Sequence, residues 1–242
     1  MPFTLVHPAI ILPLKYLPKK WISLTALIVG SVMPDLESFL RLRPVKDITH
    51  TWAGFLYLGL PAGVLLSFFF HNIIRDPVIA NLPSFFQKRF SKSSEFNWTK
   101  KFTENWFTVI VSMVIGGASH FFWDSFTHYG WFLRRFPRLK GDIVLFESNM
   151  EVRHVLQYVN SILGLLIILF FIVKIPSTQK VSPSRYFVPF WFLTMIIATA
   201  FFAVRMDFLS EKSMDGFIIT SVSAFLFGLC SAAIIFGKTR PI

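Results

Sequence analysis

The chain has 242 residues, 54% of them hydrophobic and 15% charged, with 30 phenylalanines and a mean hydropathy of +0.58. Soluble domains carry about 25% charged residues, so this composition excludes an ordinary water-soluble globule and points to the bilayer. The net charge of +11 then belongs to basic loops that set topology and meet lipid phosphates, not to a nucleic-acid surface, and a single cysteine, Cys230, excludes an internal disulfide.

The first segment, "MPFTLVHPAIILPLKYLPKK", has no basic residue before its apolar part and is broken by prolines, unlike a signal peptide. Pro2–Leu14 and Trp21–Pro34 lack charge but are too short to span comfortably. They predict two short helices near 8–17 and 21–33, joined as a hairpin through "YLPKK". A hairpin places His7 and Asp35 at the same end. Ala53–Phe70 predicts a third helix over 53–72. A basic connection over 74–104 follows, with "LPSFFQKRF" suited to a short interfacial helix. Asn105–Trp123 predicts a helix over 104–129, and a loop containing "RRFPRLKGD" then reaches Glu151. Val155–Val173, Tyr186–Val204 and Gly216–Gly237 predict helices over 154–174, 186–205 and 215–237. Each of the five longer runs can cross a hydrocarbon core of about 30 Å. The expected fold is an all-α polytopic membrane bundle of five full spans plus the N-terminal pair. It forms a single membrane domain over 1–242, with a site-bearing half over 1–131 and a plainer three-helix half over 154–237.

Tracing the spans puts Asp35, His50, His120, Asp124 and His128 on one side of the membrane, with His7. Fourteen of the 24 Lys and Arg residues fall on the opposite side. The positive-inside rule therefore orients the site outward.

The chemistry concentrates in "GGASHFFWDSFTH", where His120, Asp124 and His128 follow one another at intervals of four. Four residues turn an α-helix by only about 40° beyond a full turn, so the three form one stripe. Two ligands so spaced can grip one metal ion. An Asp at a membrane helix centre costs roughly 2.5–3.5 kcal/mol, and a divalent cation removes the need to neutralise it. The same residues also suit a headgroup-zone ion pair with Arg134, Arg135 or Arg153 and histidines bonded to helix carbonyls. Asp35 and Glu37 in "SVMPDLESFL" suit capping as well as ligation, and His50 in "DITHTWAGF" and His7 suit interfacial or capping places. As a set, four imidazoles and three carboxylates exceed what one metal needs. Three carboxylates with two dications leave a net positive centre that favours an anionic substrate. Mixed N and O donors without thiolate fit Zn, Mn, Fe or Ni alike. His71 reads as structural, and His154 as a reserve ligand. The stretch Gly116–Ser119 reads as a small-residue face for close helix packing.

"MPFTLVHP", "GSVMPDLESF", "HTWAG" and "GGASHFFWDSFTHYGW" together resemble a bacterial family of polytopic membrane proteins, domain of unknown function 4184. Their order is also similar to that of the membrane-bound metal-dependent hydrolases, whose distant soluble analogues are zinc phospholipases C. The resemblance covers residues 1–131 and implies a bacterial inner membrane. It also implies that His7, Asp35, His50, His120 and Asp124 match the shared pattern. Glu37 stands where the hydrolases often carry a second Asp. "HTWAG" departs from their His-Arg-Gly.

The resulting expectation is a membrane-embedded metal-dependent hydrolase acting on a phosphate ester or phospholipid headgroup. His7, Asp35, His50, His120, Asp124 and His128 are its candidate metal ligands, and Asp35 and Glu37 its candidate catalytic carboxylates. Membrane lipids and an anionic phosphate-containing substrate are the implied partners, and nucleic acid is not expected. The alternative is a non-enzymatic metal or ion transporter, or a sensor, built on the same cluster.

Overall fold

Prolines decide how the chain begins. In the computed structural model, which describes residues 4–18, 20–126, 135–136, 141–145, 148–177, 181, 184–207 and 214–237, a 3-10 turn over Thr4–Val6 leads into α1 (Pro8–Ile11). Pro8 sits at its first turn, where a missing N–H is harmless. Pro13 cannot return a hydrogen bond to the turn before it, and the chain tightens into 3-10 form over Leu12–Tyr16. After the turn at Pro18, Ser23 caps α2 (Leu24–Val32), its hydroxyl accepting from the Ala26 N–H at 3.4 Å. Pro34 then lies in a 3-10 turn over Met33–Asp35, and α3 (Leu36–Arg41) follows. The two short helices expected near 8–17 and 21–33 correspond to these segments, the first α-helical for one turn only.

Among the described residues, five helices are long and apolar enough to cross a membrane. They are α4 (Trp52–Ala80), α6 (Trp98–Asp124), α7 (Val152–Val173), α8 (Phe187–Asp207) and α9 (Met214–Gly237). Between α4 and α6, α5 (Ser84–Phe90) occupies the stretch expected to form an interfacial helix. The fold is an all-α polytopic membrane bundle. Two details escape periodicity. The helix α4 loosens into π turns over Phe55–Gly59 and Phe70–Ile74. The stretch read as loop before α7 holds an antiparallel hairpin, β1 (Asp142–Leu145) with β2 (Ser148–Glu151), in which Asp142 pairs with Glu151.

The chain groups into two compact units. The first comprises 1–35, 47–63 and 105–174, and the second 36–46, 64–104 and 175–242. Both α4 and α6 change unit along their length, α6 at Asn105, whose φ of −139° and ψ of 33° break the helix. The helix α7 belongs with the N-terminal segments rather than with α8 and α9.

In the first unit, α2 and α6 touch backbone to backbone. A Cβ at Gly30 would press on the Met113 carbonyl, and one at Gly116 on the Leu27 carbonyl. A Cβ at Gly164 of α7 would meet the Val6 Cβ at 2.7 Å, which fixes the N-terminal turn against α7. In the second unit, α8 and α9 pack along their length, with Phe190, Ala232, Ala233 and Ile74 in the core. His71 stacks on Trp98 with ring centroids 5.2 Å apart, and Arg75 beside it donates to the Phe96 carbonyl at 2.6 Å.

Candidate metal centre

Four separate segments of the first unit deliver the site. His120 and Asp124 stand one turn apart at the end of α6. Close approach of α2 at Gly30 brings the next residue, Ser31, to α6, and its carbonyl accepts from His120 Nδ1 at 2.8 Å. Asp35 ends the 3-10 turn after α2. His50 precedes α4, and its neighbour Thr49 donates to the Pro34 carbonyl at 2.8 Å, tying the His50 segment to that turn. His7 arrives on the N-terminal turn. Its ring stacks on His120 with centroids 4.0 Å apart at 18°.

Asp35, His50, His120 and Asp124 each offer one donor atom, and the four atoms lie within 4.8 Å of one another. Asp124 Oδ2 is 2.9 Å from His50 Nε2 and 3.5 Å from His120 Nε2. The two Nε2 atoms are 3.3 Å apart. Asp35 Oδ1 is 3.9 Å from the first and 3.8 Å from the second. Four donors bound tetrahedrally to an ion at about 2.0–2.1 Å stand about 3.3–3.4 Å from one another. The observed separations bracket that value. Asp124 Oδ1, the other oxygen, faces His7 Nε2 at 3.1 Å.

Hydrogen bonding behind the rings shows how these atoms could hold a cation. A carbonyl oxygen only accepts, so the bond from His120 Nδ1 to Ser31 places that proton on Nδ1. The bond from His7 Nδ1 to the Thr4 carbonyl at 3.1 Å does the same. A neutral His120 ring so fixed carries its lone pair on Nε2, which faces His50 Nε2 at 3.3 Å and Asp124 Oδ2 at 3.5 Å, whereas His7 Nε2 shares a proton with Asp124 Oδ1 at 3.1 Å. A carbonyl behind the ring, as at His120, is the backing by which proteins orient metal-ligating histidines. Side-chain exposure is 0% for Asp35 and His120 and 4% for Asp124, against 17% for His50. Two carboxylates so buried are costly without compensating charge. One divalent ion with two carboxylates and neutral imidazoles makes a neutral centre. The donor set therefore fits such an ion, and His50 is the most exposed of the four.

Not every sequence candidate joins the cluster. Glu37, two residues past Asp35, sits on α3 and pairs with Arg41 at 3.1 Å. It leaves two described carboxylates in the cluster, where three were expected. His128 lies outside the described residues, and among those described His154 is not in the cluster. His7 stands behind Asp124 rather than among the four converging donors.

One residue passed over in the sequence matters more. Thr4 donates its hydroxyl to Asp35 Oδ2 at 2.6 Å while its carbonyl accepts from His7. The spacing Thr4-x-x-His7 puts both on one turn, which was the available signal. Thr4→Val keeps the shape and removes the hydroxyl. Metal affinity should fall about 10–100-fold, as for other groups that orient a ligand. Thr4→Ser should restore it to within about threefold, read by competition with a chromophoric chelator.

A protein-family model described as a domain of unknown function (DUF4184) matches residues 1–237, and the chain belongs to that family. The match runs beyond the N-terminal motifs to take in α7, α8 and α9. No curated protein and no solved structure matches the chain.

Proposed function

We propose that this member of the DUF4184 family is a membrane-embedded, metal-dependent hydrolase that cleaves a phosphate ester at the bilayer surface. The observation that carries the reading is the convergence of Asp35, His50, His120 and Asp124 at near-tetrahedral spacing, three of them buried and one at a rim. Two nitrogens and two oxygens suit zinc first, with Mn, Fe or Ni compatible. When bound, such an ion supplies Lewis acidity, which polarises a phosphoryl oxygen and lowers the pKa of water. The chain's own groups do the rest. His50 and His120 present Nε2, Asp35 is steadied by Thr4, and Asp124 spans the ligand pair and His7. The Asp124–His7 contact can hold a proton at the back of the site. Asp35 serves as ligand or general base, with Glu37, paired with Arg41 at 3.1 Å, in reserve. The charge bias of the loops supports a site that faces outward.

The reading is tested on protein purified in detergent. Near-stoichiometric metal, hydrolysis of a phosphodiester, loss on chelation and return with added Zn²⁺ are expected. Stoichiometric metal with no hydrolysis across soluble phosphodiesters and phospholipids would favour the transporter or sensor reading. Absence of metal from wild type and His120→Ala alike would remove both.

A further inference from the structure

The first unit carries a groove of about 750 Å³ whose walls are almost wholly apolar. One wall is a single face of α7, from Asn160 through Leu163 and Ile167 to Phe171. The other is α1 and the 3-10 segment after it, with Ala9, Ile10 and Pro13. Trp123, in the last turn of α6, and Phe126, just past it, also line it. Two of these segments adjoin residues of the centre. Ala9 lies two residues after His7, and Trp123 immediately precedes Asp124. The Trp123 ring centroid is 6.1 Å from that of His7. The groove therefore begins at the level of the metal centre.

Polarity along α7 sets its direction. Arg153, His154, Gln157, Asn160 and Ser161 occupy the first part of the helix, and from Ile162 to Val173 every residue is apolar or glycine. Asn160 is the polar residue at the groove's upper end, and Phe171 is its foot. Eleven residues of α-helix rise about 16 Å, close to the depth of one leaflet of a roughly 30 Å hydrocarbon core. At the foot the Lys15 ammonium sits 4.4 Å from the Phe171 ring centroid. The groove is thus a slot of one chain's length, polar at the end beside the cluster and apolar below. A water-soluble phosphate ester has no use for it.

We propose that this groove seats one acyl chain of a phosphate-headed membrane lipid, presenting the head at the level of the metal centre. The groove assignment stands on geometry, and the further step that this lipid is the substrate rests on the hydrolase reading. The groove selects the class by its chain, and a bound ion would select it by affinity for a phosphoryl oxygen.

The test uses the full chain in phosphatidylcholine nanodiscs containing phosphatidylglycerol with a diazirine on one acyl chain. After illumination, label on Leu163, Ile167 and Phe170 should exceed label on Leu165 and Leu169 at least fivefold. The latter two are exposed on the same helix, at 51% and 41%, but do not line the groove. Ile167→Trp should cut groove labelling at least fivefold, and Leu165→Trp should leave it unchanged. Equal metal content in both variants shows that the fold is kept, and Leu163→Phe replaces Ile167→Trp if it is not. Even labelling of both faces, or groove labelling indifferent to the filling variant, overturns the proposal. Ile167→Trp should also slow hydrolysis of long-chain phosphatidylglycerol at least tenfold while sparing bis(p-nitrophenyl) phosphate. Unchanged phosphatidylglycerol hydrolysis overturns the substrate step. A protein that labels its groove and hydrolyses neither ester loses the hydrolase reading and keeps the lipid seat. Hydrolysis of the soluble ester with even labelling gives the reverse.

Discussion

Asp124→Asn should leave a folded membrane protein with less than about a tenth of the wild-type metal content. The substitution keeps the size and planarity of the side chain, so packing at the end of α6 is undisturbed. What changes is charge and direction of bonding. Asp124 Oδ2 lies nearest His50 Nε2, at 2.9 Å, and Oδ1 faces His7 at 3.1 Å. An amide is uncharged and offers only one oxygen, so it cannot both face the donor cluster and accept from His7 as the two carboxylate oxygens do. It also halves the negative charge of the cluster. Elemental analysis after purification reads the outcome. Chelating the wild type should destabilise it in parallel. Loss of an ion held at about 100 times its Kd removes about 2.7 kcal/mol, or roughly 5–10 °C for a chain of this size. Asp124→Asn should show no such shift, because it has no ion to lose. A cluster held together by protons alone predicts the opposite, with little metal in either protein and no response to chelator.

The parts of this site that the sequence exposes are those set by helical spacing and by counting spans. His120 and Asp124 are one turn apart on any α-helix, and the N-terminal hairpin puts His7 and Asp35 at one end. Whether Asp35 or Glu37 faces the cluster is a different matter. Both follow Pro34 closely, and two positions on a helix diverge by about 200°. Only the tertiary setting separates them, through Thr4 on Asp35 and Arg41 on Glu37. The backing of His120 is less legible still. Its partner is the main-chain carbonyl of Ser31, which any residue would supply. The hairpin of β1 and β2 and the π turns of α4 leave no periodic trace either. The hairpin strands are only four residues each, and π turns keep the apolar content of a helix while shifting its phase.

Glycine-to-larger substitutions at the crossing of α2 and α6 test how the ligands are brought together. A Cβ at Gly116 would collide with the Leu27 carbonyl and come within 2.8 Å of the Ser31 nitrogen. These are backbone atoms of α2 and cannot swing aside, so Gly116→Ala must push the helices apart. His120 lies one turn beyond Gly116, and its Nδ1 bond is to Ser31 itself. Spreading the crossing therefore lengthens that bond and draws His120 away from Asp35, which leaves α2 one turn later. Metal affinity should fall at least 10–100-fold, the range for loss of a ligand's support. Overpacking should also cost about 1–3 kcal/mol of stability, and Gly116→Leu should not accumulate as folded protein. Gly63→Ala is the matched control. Its Cβ would meet Met113 Sδ at 2.8 Å, Met33 Cγ at 3.0 Å and Val29 Cγ1 at 3.2 Å, all side-chain atoms of the same unit. Methionine adjusts readily to a filled gap, so this variant should bind metal like the wild type. Equal metal affinity in Gly116→Ala and Gly63→Ala would show that the crossing does not set the geometry of the centre.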